Sequence, residues 1–154
     1  MFRTLFTPNP LRYEGVRPIN VWGLRLFYGL MFAFVTPSAW QALLGHQGPW
    51  DPVRAVAICV WATYPALAVF GLFRPLRWLP LMFFTIGYKT LWLAFVAWPL
   101  WRHGALAGTP TAEIAWSFAT LPLLAAVVPW RYACRIYLPV PRRVRLGADV
   151  APGI

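Results

Sequence analysis

The stretch from Arg77 to Trp101, RWLPLMFFTIGYKTLWLAFVAWPLW, limits what this chain can fold into more than any other part of it. A helix needs about 20 apolar residues to cross a bilayer, and this stretch supplies them with one interior charge, Lys89, close to its middle. A cation at that depth is unfavourable by roughly 3 kcal/mol or more, so Lys89 is expected to face protein or water and to have a partner there.

Composition extends the membrane reading to the whole chain. Of its residues 60% are hydrophobic and 12% are charged, about half the charged fraction of a soluble domain. The apolar residues come in long blocks, not in stripes that leave a wetted face, which excludes a soluble fold. The blocks predict an all-α integral membrane protein, a four-helix bundle with spans at about 20–44, 53–73, 77–101 and 111–131. Residues 1–19 form an interfacial or cytoplasmic N-terminal segment, and residues 132–154 a basic cytoplasmic tail.

A net charge of +10 raises the question of nucleic acid, and the placement of the arginines answers it. In a four-pass chain Arg3, Arg12, Arg17, Arg74, Arg77, Arg131, Arg135, Arg142, Arg143 and Arg145 fall on one side, and Arg54 and Arg102 on the other. Ten against two places both termini in the cytoplasm, N-in and C-in. Arginines tied to helix ends read as topology signals and as contacts to anionic lipid head groups, not as a nucleic-acid surface. Cys59 and Cys134 lie at different depths and in no CxxC spacing, so neither a disulfide nor a redox pair is expected. The N-terminus has no compact apolar core before a cleavage site, so no signal peptide is read there.

Along the first span Arg25 lies near the cytoplasmic end, where it can snorkel to the interface. Trp22, Arg25, Tyr28, Gly29 and Phe32 recur at helical spacing and predict one protein-facing side, with Gly29 and Ala33 as a small-residue contact pair. The second span repeats that spacing at Ala62 and Ala66, and Pro65 predicts a kink. The link Arg74-Pro75-Leu76-Arg77 permits only a tight turn, so spans two and three should be antiparallel neighbours.

Three groups of residues carry the functional expectations. Thr85, Tyr88, Lys89 and Trp92 share one face of span three. Glu113, Ser117 and Thr120 share one face of span four and are its expected complement, although Glu113 should lie roughly 10 Å shallower than Lys89. The sharper reading of this stripe is a ligand site in which Lys89 holds an anionic or carbonyl-bearing group such as a quinone head. The plainer one is a structural contact with Ser117, Thr120, Tyr88 and nearby carbonyls. His46, Asp51, His103 and Glu113 form a second group near the outer face, whose nitrogen and oxygen donors suit zinc, iron or copper. No ligand spacing supports that site, and four ordinary loop residues is the plainer reading. The third group is Trp61, Trp92 and Trp116, set inside the spans, where they either sandwich a flat cofactor or fill a bundle loosened by alanine and glycine. No Gly-rich phosphate loop, nucleophile elbow or carboxylate pair is present, which removes hydrolase and nucleotide chemistry.

Leu24-Arg25-Leu26 with Gly29-Leu30-Met31-Phe32, and Gly71-Leu72 followed by Arg74, resemble the DoxX-like family of small bacterial four-helix membrane proteins over roughly 20–130. Where a lysine often ends the first span of that family, Trp40-Gln41 stand here. The resemblance implies an inner-membrane protein and a link to redox assemblies, since some members are membrane subunits of thiosulfate:quinone oxidoreductases. The leading expectation is a non-catalytic accessory subunit, joined to other membrane subunits or to copies of itself. The alternatives are a small transporter or channel for an anion or weak acid that uses Lys89 and Arg25, and a quinone-using membrane enzyme.

Overall fold

Prolines start the helices of this chain and also interrupt them. The computed structural model describes Thr7 and residues 13–138. Four of its helices are long and apolar enough to cross a membrane: α1 Pro18–Leu44, α2 Pro52–Phe73, α3 Leu79–Arg102 and α4 Pro110–Val127. A fifth, α5 Trp130–Tyr137, follows, and no strand occurs among the described residues. Each long helix has proline in its first turn, Pro18, Pro52, Pro80 or Pro110, where a missing N–H costs nothing and the fixed φ favours the helix. Asp51 caps α2 by accepting the Arg54 N–H at 2.8 Å, and the Thr109 hydroxyl accepts the Ala112 N–H at 3.4 Å on α4.

Deeper prolines cannot donate to the carbonyl four residues back, and their rings collide with it. The chain answers by changing helical pitch just before them. Met31–Val35 widens to a π-turn ahead of Pro37, closed by Thr36 N–H to Met31 O. Leu93–Ala97 does the same ahead of Pro99, with Trp98 N–H to Leu93 O. Phe118–Thr120 tightens to a 3₁₀ turn ahead of Pro122. Pro65 is followed by a turn at Leu67 that divides α2 into Pro52–Ala66 and Ala68–Phe73, the kink expected from the sequence. Helix α4 stops earlier than the expected residue 131, because Val128 turns extended before Pro129. What was read as the start of the tail is the separate helix α5; residues 139–154, like 1–6 and 8–12, lie outside the described part.

The packed core sits at the end of the bundle where the N-terminal turn and α5 meet. Leu24, Tyr28, Met31, Tyr64, Ala68, Leu79, Leu81, Met82, Leu124 and Val128 form it. The stripe on α1 that turns inward is Val21, Leu24, Tyr28 and Met31. Trp22 and Phe32, expected on the protein-facing side, point outward at 56% and 40% exposure. Tyr28 is fully buried. Its ring lies flat on Gly71, where an added Cβ would stand 2.5 Å from Cδ1, and its hydroxyl donates to Pro75 O at 3.2 Å. This joins α1 to the inner half of α2 and fixes the turn that leads to α3, itself closed by Arg77 N–H and Trp78 N–H to Arg74 O. Helix α4 is held at the same end, by Asn20 Nδ2 donating to Val127 O at 2.7 Å and by Val127 against Gly23. Spans two and three meet through Tyr64, whose ring centroid is 5.4 Å from that of Phe84. Toward the opposite end α1 and α2 stay packed on each other, while Phe34, Leu44, Val53, Phe95, Trp101 and Trp116 are all exposed there.

Gly71→Ala is expected to destabilise the fold by about 1–3 kcal/mol, the usual cost of overpacking, because the Tyr28 ring has no room to retreat. Gly87→Ala, in mid-helix where nothing lies within 4 Å, should keep or raise stability, by up to about 1 kcal/mol. Unfolding of both variants by denaturing detergent, followed by circular dichroism, checks the contrast.

Candidate functional site: the Lys89 cluster

Helix α3 delivers the predicted stripe as a set. Thr85 is buried, and Tyr88, Lys89 and Trp92 are half-buried. The surroundings differ from those expected. Among the described residues Lys89 has neither an ion pair nor a hydrogen bond; its Nζ stands 4.7 Å from the centroid of the Phe118 ring on α4. Thr85 spends its hydroxyl on Leu81 O of its own helix, at 2.8 Å. Tyr88 shares a 2.7 Å hydrogen bond with the Tyr64 hydroxyl on α2, which answers the rule that a phenol at lipid depth must find a polar partner. Trp92 and Tyr88 both meet Phe118 edge-on, at centroid distances of 5.2 and 5.9 Å.

The expected complement on α4 turns away. Glu113, Ser117 and Thr120 are exposed, and the two hydroxyls donate to Ile114 O at 2.7 Å and Ser117 O at 3.4 Å within their own helix. Phe118, the neighbour of Ser117, takes the position facing Lys89. The cause is the proline. The inner half of α4 is fixed by Asn20 and Gly23, and a 3₁₀ turn of three residues advances the helix phase by about 60° beyond an α-turn. A face counted at α-helical spacing through Phe118–Thr120 is therefore misaligned with the inner half. The inward pairing of Lys89 with Glu113 is corrected accordingly.

Tyr64 and Phe118 complete the cluster and were not singled out in the sequence. Tyr64 carried a signal, since a lone phenol inside an apolar span calls for a partner on the adjoining helix. Phe118 carried none, because a phenylalanine in a membrane helix is ordinary.

Magnitudes decide what this arrangement leaves open. A cation over an aromatic face gains about 0.5–2 kcal/mol, less than the roughly 3 kcal/mol or more that a charge costs near the centre of a bilayer. One phenyl ring falls short of what Lys89 requires.

Arg25, the remaining residue of the predicted site, lies far toward the inner end. Its Cζ sits 5.1 Å from the Trp22 ring centroid, and it does not join the Lys89 cluster. The outer-face donors are dispersed: no group of three His, Cys, Asp or Glu able to hold a metal occurs among the described residues. His46 stacks on Trp50 at 3.5 Å, Asp51 is used as a helix cap, and His103 and Glu113 are exposed. Among the interior tryptophans, Trp61 and Trp116 are exposed and only Trp92 is in the cluster. Both cysteines are free and exposed.

No family model, curated protein or solved structure matches the chain.

Tyr64→Phe and Tyr88→Phe should each reduce stability by about 0.6–1.7 kcal/mol, the range for hydrogen bonds between membrane helices. Lys89→Met should leave the isolated chain as stable or more stable, because it removes a half-desolvated charge and keeps the packing against Phe118. Loss of stability in Lys89→Met beyond that of the tyrosine variants, in the same unfolding assay, would reveal an internal partner.

Proposed function

We propose that this chain is an accessory subunit of a larger membrane assembly and that Lys89 meets its counter-group across the interface with a partner subunit. The carrying observation is the Lys89 ammonium itself, half-buried against Phe118 with no polar partner among the described residues of its own chain. A carboxylate or carbonyl from a neighbouring helix supplies what the ring does not. Helix α4 supports the same reading: it is fastened at its inner end, and it presents Glu113, Trp116, Ser117 and Thr120 outward. Polar groups on the outer half of a membrane helix are matched by protein more readily than by acyl chains.

The ten-to-two arginine asymmetry supports an orientation with both termini cytoplasmic, and the DoxX-like resemblance supports a bacterial inner membrane. The N-terminal turn and α5 are in contact, Tyr132 Oη donating to Glu14 Oε2 at 2.6 Å, which is compatible with an even number of crossings. The link to a quinone-dependent redox complex draws on the DoxX-like resemblance. A second reading is a small anionic or carbonyl ligand held by Lys89 in the place of a partner's counter-group; the apolar groove lined by Thr90, Leu93, Ala94, Trp98 and Leu121 lies on the same helix and does not include Lys89.

Mild solubilisation from the native membrane and affinity capture of the tagged chain should recover a stoichiometric membrane partner. Lys89→Met is expected to lose that partner by about tenfold or more, the effect of leaving one member of a buried charged pair unmatched, while Arg54→Gln keeps it. Recovery of the same partner by Lys89→Met at wild-type yield would sink the interface role. Quinone extracted with the wild type and absent from Lys89→Met would favour the second reading.

A further inference from the structure

The structure points to a second site, independent of Lys89: we propose that Arg25, Arg74 and Arg77 form a binding site for a phosphate-bearing anion at the inner end of the bundle. The three arginines line one open cleft of about 350 Å³, together with Tyr13, Glu14 and the Phe73–Leu76 turn. Sites for small ligands occupy roughly 300–1,000 Å³, so the cleft admits a head group.

Arginines at helix ends ordinarily do no more than set topology, and Arg74 and Arg77 alone would carry no more than that. Arg25 is different. It lies within α1, seven residues after Pro18, and reaches the same cleft. Its Nε is buried and has no hydrogen-bond partner. A buried, unmatched donor on a charged group costs about 1–3 kcal/mol or more, and the Trp22 ring against Cζ cannot accept that N–H as an oxygen would. A guanidinium presents a planar fork of donors that suits the oxygens of a phosphate.

The frame behind these side chains is fixed. Tyr28, buried against Gly71, holds Pro75 O, and Arg74 O accepts two N–H groups from the turn. The only carboxylate in the lining is Glu14, whose Oε2 is turned to the Tyr132 hydroxyl. Three guanidinium groups against one carboxylate leave a net charge of +2 around the cleft, which suits a phosphate carrying one or two negative charges. The anion is either a phospholipid head group or free phosphate, and the two sources present the same chemistry to the arginines.

The test uses the full chain in a neutral detergent, stripped of lipid, with the unfolding midpoint followed as phosphatidylglycerol, phosphatidylcholine or inorganic phosphate is added. Phosphatidylglycerol is expected to raise the midpoint saturably at about one lipid per chain, with phosphatidylcholine far weaker. Arg25→Gln and Arg77→Gln should each weaken that response about tenfold or more, and Arg54→Gln, at the opposite end, should not. Arg77 is exposed, so its variant carries the test even if Arg25→Gln does not fold. A saturable response to inorganic phosphate with the same two losses also supports the site and names free phosphate as its occupant. A response to neither, or one that Arg25→Gln and Arg77→Gln leave as strong as Arg54→Gln does, overturns the proposal. Neither result bears on the partner expected at Lys89.

Discussion

The contact of Tyr28 with Gly71 is the hinge of this architecture. A side chain of any size at position 71 would stand inside the phenol ring, so the absence of a Cβ lets α1 and α2 close to the distance of a ring lying on backbone. The same ring then reaches past α2 to hold Pro75 O, and that bond sets the angle at which the chain re-enters as α3. Helix α4 joins last, where Asn20 and Gly23 on α1 receive Val127. Four helices are thus gathered at one end by a single buried tyrosine and two glycines. The driving term is van der Waals packing and a few hydrogen bonds, as it must be where lipid offers apolar side chains no penalty for exposure.

From that end outward the buried side chains become few and small, Ala39, Ala62 and Ala97 among them, and proline changes the facing of the helices. The π-turns before Pro37 and Pro99 and the 3₁₀ turn before Pro122 lie where each helix leaves the core. Each shifts the phase of the outer half, so a stripe continuous in sequence faces one way near the termini and another near the outer loops. The inner half of α1 buries Val21, Leu24 and Tyr28, while beyond the π-turn only Ala39 is buried. Such interruptions are common at functional positions in helices, and here they set Lys89, Tyr88 and Trp92 just inside the π-turn of α3.

What could be read from the sequence follows from the same division. Length and hydropathy alone gave four helices within a few residues of their observed ends, because desolvated backbone permits little else in a membrane. The turn at 74–77, the kink at Pro65 and the stripe on α3 were also legible, being local. The facing of α4 was not, since it depends on how far a 3₁₀ turn rotates Glu113 and Ser117 relative to Leu124. Nor was the α1 face: Trp22 and Arg25 share a spacing with Tyr28, yet the buried line runs through Leu24 instead. Periodicity identifies a face within an unbroken helix; it cannot carry that face across a change of pitch.

Arg25 and Lys89, two of the cations placed within helices, share one physical device, as does Arg135 over Tyr132. Arg25 lies against Trp22 and Lys89 against Phe118, both within about 6 Å of the ring, where the quadrupole attracts positive charge. An aromatic face lowers the cost of a half-buried cation without supplying a hydrogen-bond acceptor. Arg25 also lines an open cleft with Arg74 and Arg77. In the middle of a long apolar helix the same compromise is far less adequate. A salt bridge within the chain would have silenced both groups; rings leave each with an unmet requirement, which is the condition for binding something else.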